Sequence, residues 1–77
     1  MKKLKEYVVR INWYCHDEVW RADCDEIGYD LESVSFDELI EKVKAVTPEL
    51  LRQVGADPEC VLHFVAERRD HVPINES

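Results

Sequence analysis

Basic residues are in short supply in this chain. Ten lysines and arginines stand against seventeen aspartates and glutamates, for a formal net charge of −7. So acidic a surface repels phosphate backbones, which excludes the electrostatic route to direct nucleic-acid binding, and it attracts basic proteins. Cysteines are few and odd in number. Cys15, Cys24 and Cys60 show no C-x-x-C spacing, which argues against a disulfide framework and a closed zinc site and leaves reduced thiols. Long apolar runs are absent too: none approaches the roughly 20 residues that span a bilayer. The start, MKKLKEYVVR, has a basic end but no apolar segment or cleavage site behind it, so no secretory signal is read. These absences predict a cytoplasmic protein with no membrane partner. What is present, 45% hydrophobic and 35% charged residues in 77, suits one small globular domain rather than a disordered segment. A chain this short buries only about 60% of its unfolded surface, so its core is small.

The richest stretch is WYCHDEVWRADCDE, Trp13 to Glu26. Before it, residues 7–14 alternate: Tyr7, Val9, Ile11 and Trp13 share one face, and Val8, Arg10, Asn12 and Tyr14 the other. Residues 19–25 alternate likewise, with Trp20, Ala22 and Cys24 against Val19, Arg21, Asp23 and Asp25. Treating Cys15 to Glu18 as a four-residue hairpin loop fixes the register, because a slip of one turns every side chain over. Trp13 then opposes Trp20, Ile11 opposes Ala22, and Val9 opposes Cys24 on a buried face. On the other face Asn12 meets Arg21, Arg10 meets Asp23, and Val8 meets Asp25. One register satisfies both faces.

That register also disposes of a metal site. Cys24 points inward while Asp23 and Asp25 point outward, so a regular strand denies them a common coordination shell. Cys15 and His16 are adjacent loop residues, which is no zinc signature. No metal or cofactor is expected.

Further along, Gly28 is the bend before a short third strand, Tyr29 to Ser33, with Leu31 inward. Ser35-Phe36-Asp37-Glu38 is a capping box, and acids in its first turn suit the helix dipole. Phe36, Leu39, Ile40, Val43, Val46 or Thr47, Leu50, Leu51 and Val54 recur at three- and four-residue intervals, an amphipathic helix closed by Gly55. Pro48 either kinks this helix near Ala45 to Thr47 or starts a second helix capped by Thr47. The stripe keeps its phase, which favours one kinked helix. Cys60 to Glu67 reads as a last strand, with Leu62, Phe64 and Ala66 inward and Val61, His63 and Val65 outward. The expected fold class is α+β, in the order β-β-β-α-β, with one helix packed on a small, mostly antiparallel sheet. The domain spans 1–68, and 69–77 form a polar, frayed tail. Val8, Tyr14, Val19, Val61 and Val65 make the opposite face apolar enough to serve as a contact surface.

Several short patterns occur in order: Trp13, Val19-Trp20, Ala22, Asp25-Glu26-Ile27-Gly28, Leu31-Glu32-Ser33, Ser35-Phe36-Asp37, Leu39 and Pro48-Glu49-Leu50-Leu51. Over residues 7–55 they resemble a family of small bacterial and phage proteins of unknown function related to HicB-type antitoxins. The resemblance implies a HicB-like fold, a reduced ribonuclease-H-like unit without nuclease activity. It also implies a partner, a small basic HicA-like ribonuclease toxin. HicB-type antitoxins usually carry a C-terminal DNA-binding segment as well. Only Arg68 to Ser77 follow the last strand here, a departure from that pattern, so the resemblance does not extend to autorepression.

The resulting expectation is a non-catalytic interaction module, antitoxin-like, contacting its partner through Asp23, Asp25, Glu26, Tyr29 and Asp30. Glu32 belongs to the same run of acids, with only Arg21 among them. The competing reading is a stand-alone, self-associating homo-oligomer, built on an unpaired strand edge and the semi-apolar outer face. An enzyme is not expected. A two-magnesium ribonuclease-H-type site needs several converging carboxylates, and neither the third strand nor the helix offers an inward acid to meet Asp23 and Asp25. His63 stands alone on an outward position.

Overall fold

A computed structural model describes residues 3–74, with β1 (Lys5–Tyr14), β2 (Val19–Cys24), β3 (Tyr29–Ser33), α1 (Phe36–Gln53) and β4 (Cys60–Glu67). This is the expected β-β-β-α-β order. The four strands form one sheet in the order β3-β2-β1-β4, antiparallel except for the parallel β1–β4 pair. The helix is the crossover that a parallel pair requires.

The hairpin register is the one the alternation dictates. Tyr14 pairs with Val19, Trp13 with Trp20, Asn12 with Arg21, Ile11 with Ala22 and Arg10 with Asp23, and the paired run stops there. Each hairpin turns through a four-residue loop of one design. The Glu18 N–H donates to the Tyr14 carbonyl at 2.8 Å, and the Gly28 N–H donates to the Cys24 carbonyl at 2.7 Å. In both loops the last residue is left-handed, φ 55° at Glu18 and 86° at Gly28. Glycine takes that conformation at no steric cost; glutamate does not.

Serine and glycine bound the helix. The Ser35 hydroxyl accepts the Glu38 N–H. The Glu38 carboxylate reaches past Ser35 to accept from the buried Ser33 hydroxyl at 3.2 Å, and that hydroxyl accepts the Ser35 N–H. The capping box thus gains a relay through the last residue of β3. At the other end the Ala56 N–H bonds to the Leu51 carbonyl and the Gly55 N–H to the Arg52 carbonyl, a Schellman closure with Gly55 left-handed. Val54, read as part of the apolar stripe, is instead the C-cap and is exposed.

Pro48 lies inside a single continuous helix and starts no second one. The amide it lacks would have bonded to the carbonyl of Lys44, which lies on the exposed side of the helix, where water can take its place. One residue back, the buried Thr47 hydroxyl donates to the Val43 carbonyl at 2.6 Å.

Tyr7, Val9, Ile11, Ala22, Cys24 and Tyr29 from the sheet pack against Leu39, Val43 and Leu51. The helix backbone lies over β2 and β3. That offset leaves Leu62 and Phe64 of β4 only half-buried and Ala66 exposed, although all three occupy the inward register.

The two indoles touch but do not share a roof. Trp20 meets the helix through Phe36, edge on, at 5.0 Å between centroids, and Trp13 leans on Trp20 at 5.1 Å. Trp13 stays outside the core cluster. Its cover is the segment after β4: the Arg68 guanidinium stands 4.4 Å from the Trp13 ring and 5.6 Å from Trp20, and the indole N–H donates to Asp70 at 3.1 Å. Arg68 and Asp70 also pair with each other at 2.8 Å. The segment after β4 therefore starts with a clasp, and of the tail expected over 69–77, residues 75–77 lie outside those described.

Candidate functional site

The sheet face away from the helix divides into two zones. Over β2 and β3 it is a lattice of charges. Arg10 on β1 reaches across to two carboxylates, with its guanidinium 3.2 Å from Asp23 and 2.8 Å from Asp25. Asp25 first and Asp23 second push the Arg10 pKa above its ordinary range. Arg21 donates to Glu32 at 3.1 Å, lies 4.8 Å from the Tyr14 ring and sits in the field of Asp30. Its pKa is raised too, mainly by the bond to Glu32. Lys5 approaches Glu26 at 3.3 Å. All of these groups are exposed enough for salt to screen them.

Of the residues singled out from the sequence, Asp23, Asp25, Glu26 and Asp30 therefore lie together on or beside this face. Tyr29 does not. It points into the core, 9% exposed, and its buried hydroxyl has no hydrogen-bond partner of good geometry among the described residues. Burial pushes its pKa up, and the nearby Thr47 hydroxyl only partly opposes that. Position 29 opens β3 on the inward parity, a consequence of the four-residue loop. The sequence order hid two counter-ions. Arg10 and Lys5 are distant in the chain from the acid run, and only the strand register brings Arg10 to it. A shallow concavity of about 240 Å³, lined by Val8, Arg10, Asp25 and Glu26, marks the junction of the charged and apolar zones.

Over β4 and its neighbour Val8 on β1 the same face carries an apolar patch. Val8, Val61 and Val65 are each nearly half exposed around His63, whose ring nitrogen lies 3.2 Å from Glu6. Cys60, at the start of this strand, has its thiol pKa raised by burial first and Asp57 second. Among the described residues, no cluster of three or more His, Cys, Asp or Glu side chains has metal-holding geometry, and no helix is long and apolar enough to cross a membrane.

Comparison with known proteins agrees on the fold and leaves the activity open. A hypothetical protein of the extremely thermophilic bacterium Thermus thermophilus, TTHA1013, has a crystal structure that matches 91% of this chain and 100% of its own, with a TM-score of 0.66 and 25% sequence identity. No curated protein matches the chain. The kinship to HicB-type antitoxins is not among these findings. The sequence profile of one family does match, over residues 6–74, from β1 through the Arg68–Asp70 clasp. The chain belongs to the family described as a domain of unknown function, DUF1902.

Proposed function

We propose that the protein is a non-catalytic interaction module of antitoxin type, which binds and neutralises a small basic protein, a HicA-like ribonuclease toxin, through the acidic half of its outer sheet face. One observation carries the reading. Asp23, Asp30 and Glu32 stand on the sheet and Asp25 on the loop that follows β2, with Arg10 and Arg21 placed among them. Each carboxylate offers about four acceptor sites, and the arginines occupy only some of them. The pairing fixes where Asp23, Asp25 and Glu32 point, so a cationic partner loses less freedom on docking. The net charge of −7 steers such a partner and repels nucleic acid. The resemblance to HicB-type antitoxins supplies the identity of the partner.

The test is capture by the tagged full-length chain from its host at low salt, followed by purification of the captured protein. A small basic protein should bind one-to-one, and its affinity should fall steeply with salt. Replacing Asp23, Asp25, Asp30 and Glu32 by Asn or Gln should weaken binding at least about tenfold. Recovery of no basic protein, or binding indifferent to those substitutions, would refute the reading.

A further inference from the structure

We infer that β4 is a self-recognition edge, and that two copies of the chain join their sheets through it about a two-fold axis at His63. The two outer strands of the sheet differ sharply. The β3 edge, YDLES, is five residues long and carries Asp30 and Glu32, charges that discourage another strand from adding. The β4 edge is eight residues, CVLHFVAE, and Cys60 to Ala66 contain no carboxylate, lysine or arginine, in a chain where 35% of residues are charged. A long, uncharged, β-branched edge is what protected sheets avoid.

The chain's own β4 suits that edge best. In antiparallel edge pairing about an axis perpendicular to the sheet, residues facing each other lie on the same face, so their numbers share parity. Centring the axis on His63, the middle of the uncharged run, sets Val61 against Val65 of the second copy, Leu62 against Phe64, and Cys60 against Ala66. Every contact joins apolar side chains, apart from the histidine pair on the axis. Shifting the axis to Phe64 would instead place Glu67 against Val61. On the inner face the pairing covers Leu62 and Phe64, which the offset helix leaves half-exposed. On the outer face it brings Val61 and Val65 of the two copies together on either side of the His63 pair. The product is an eight-stranded sheet, closed by symmetry, with both helices on one side and both acidic zones at its far ends.

This interface is separate from the acidic face and responds oppositely to salt. Screening the charge of two copies, each −7, strengthens self-association and weakens capture of a basic partner. Sedimentation equilibrium on the full chain tests it. The wild-type protein should reach twice its 9.1 kDa mass, at lower concentration when salt is added. V65E places a carboxylate opposite Val61 of the second copy and should weaken the dimer at least about tenfold, with an unchanged circular dichroism spectrum. V61K/V65E sets lysine against glutamate across the axis and should restore dimerisation. V8E, on the same face but one strand in from the edge, should leave the dimer intact. A wild-type monomer throughout, a V65E dimer of wild-type strength, no rescue in V61K/V65E, or loss of the dimer in V8E would each overturn the proposal.

Discussion

Replacing Glu18 by glycine should stabilise the protein, and the structure supplies its own control. Two loops of the same length and hydrogen-bond pattern end in left-handed residues, glutamate in one and glycine in the other. Holding a side chain in that region costs roughly 1–2 kcal/mol. Glycine avoids this cost but loses about 0.5–1 kcal/mol more backbone entropy on folding. Glu18→Gly should therefore gain about 0.5–1 kcal/mol, a rise in Tm of roughly 2–8 °C for a domain of this size. The reverse change, Gly28→Ala, should lose about 1 kcal/mol. Because a Cβ at Gly28 meets nothing within 4 Å, that loss measures backbone conformation alone. Removing one carboxylate from so acidic a chain also helps, so Glu18→Gln, which keeps the strained φ, separates charge from backbone. Urea unfolding of the three variants checks the set. If Glu18→Gly gains no more than Glu18→Gln, or Gly28→Ala is neutral, the shared loop geometry is wrong.

Three further outcomes follow from buried or clasped groups. Tyr29→Phe removes a buried hydroxyl that finds no hydrogen-bond partner of good geometry among the described residues and should stabilise by about 1 kcal/mol. The Tyr29 phenol and the Cys60 thiol are both raised above their ordinary values of 10.0 and 9.0. Stability is then full below those values and falls as pH climbs through the raised folded ones, and in Tyr29→Phe the alkaline limb, followed by circular dichroism, should be shallower. Pro48→Ala restores a helical amide facing the Lys44 carbonyl; against the roughly 3 kcal/mol cost of an interior proline, less its unfolded-state entropy, the gain should be about 1–2 kcal/mol in urea melts. Arg68→Ala removes the cation over Trp13; it should cost under about 1 kcal/mol, red-shift tryptophan emission and speed amide exchange over 68–70, and emission unchanged from wild type would contradict the clasp.

What could be read from the chain was whatever local periodicity controls. Alternation over 7–14 and 19–25 sufficed for the β1–β2 register, because any slip would have exposed Ile11 and buried Arg10. Ser35 and Gly55 bounded the helix because unpaired helix ends need partners that few residues supply. The acid site was half legible. Arg10 opposite Asp23 followed from the register, but its reach to Asp25 depends on where the loop carries that side chain. Tyr29 shows a different limit: an aromatic bordered by acids reads as a surface contact until the preceding loop fixes its parity.

The remaining misses arise where pairing is non-local. Trp13 and Asp70 are 57 residues apart, and Asp70 lies in a segment without regular structure, so no period announces their bond. The same kind of non-locality decides how β4 behaves. Its own pattern marks Leu62 and Phe64 as inward, but inward is not the same as covered. Coverage depends on where a helix of fixed length comes to rest, and α1 settles over β2 and β3 because the Ser33–Ser35–Glu38 relay anchors its first turn to the end of β3. Weakening that anchor in Ser33→Ala should loosen the helix at its start without disturbing the β1–β4 pairing. Amide exchange that rises over Phe36 to Ile40 and stays unchanged over Leu62 to Val65 would confirm that the helix position is set from β3, while equal loosening of both would show that the far half of the sheet depends on it as well.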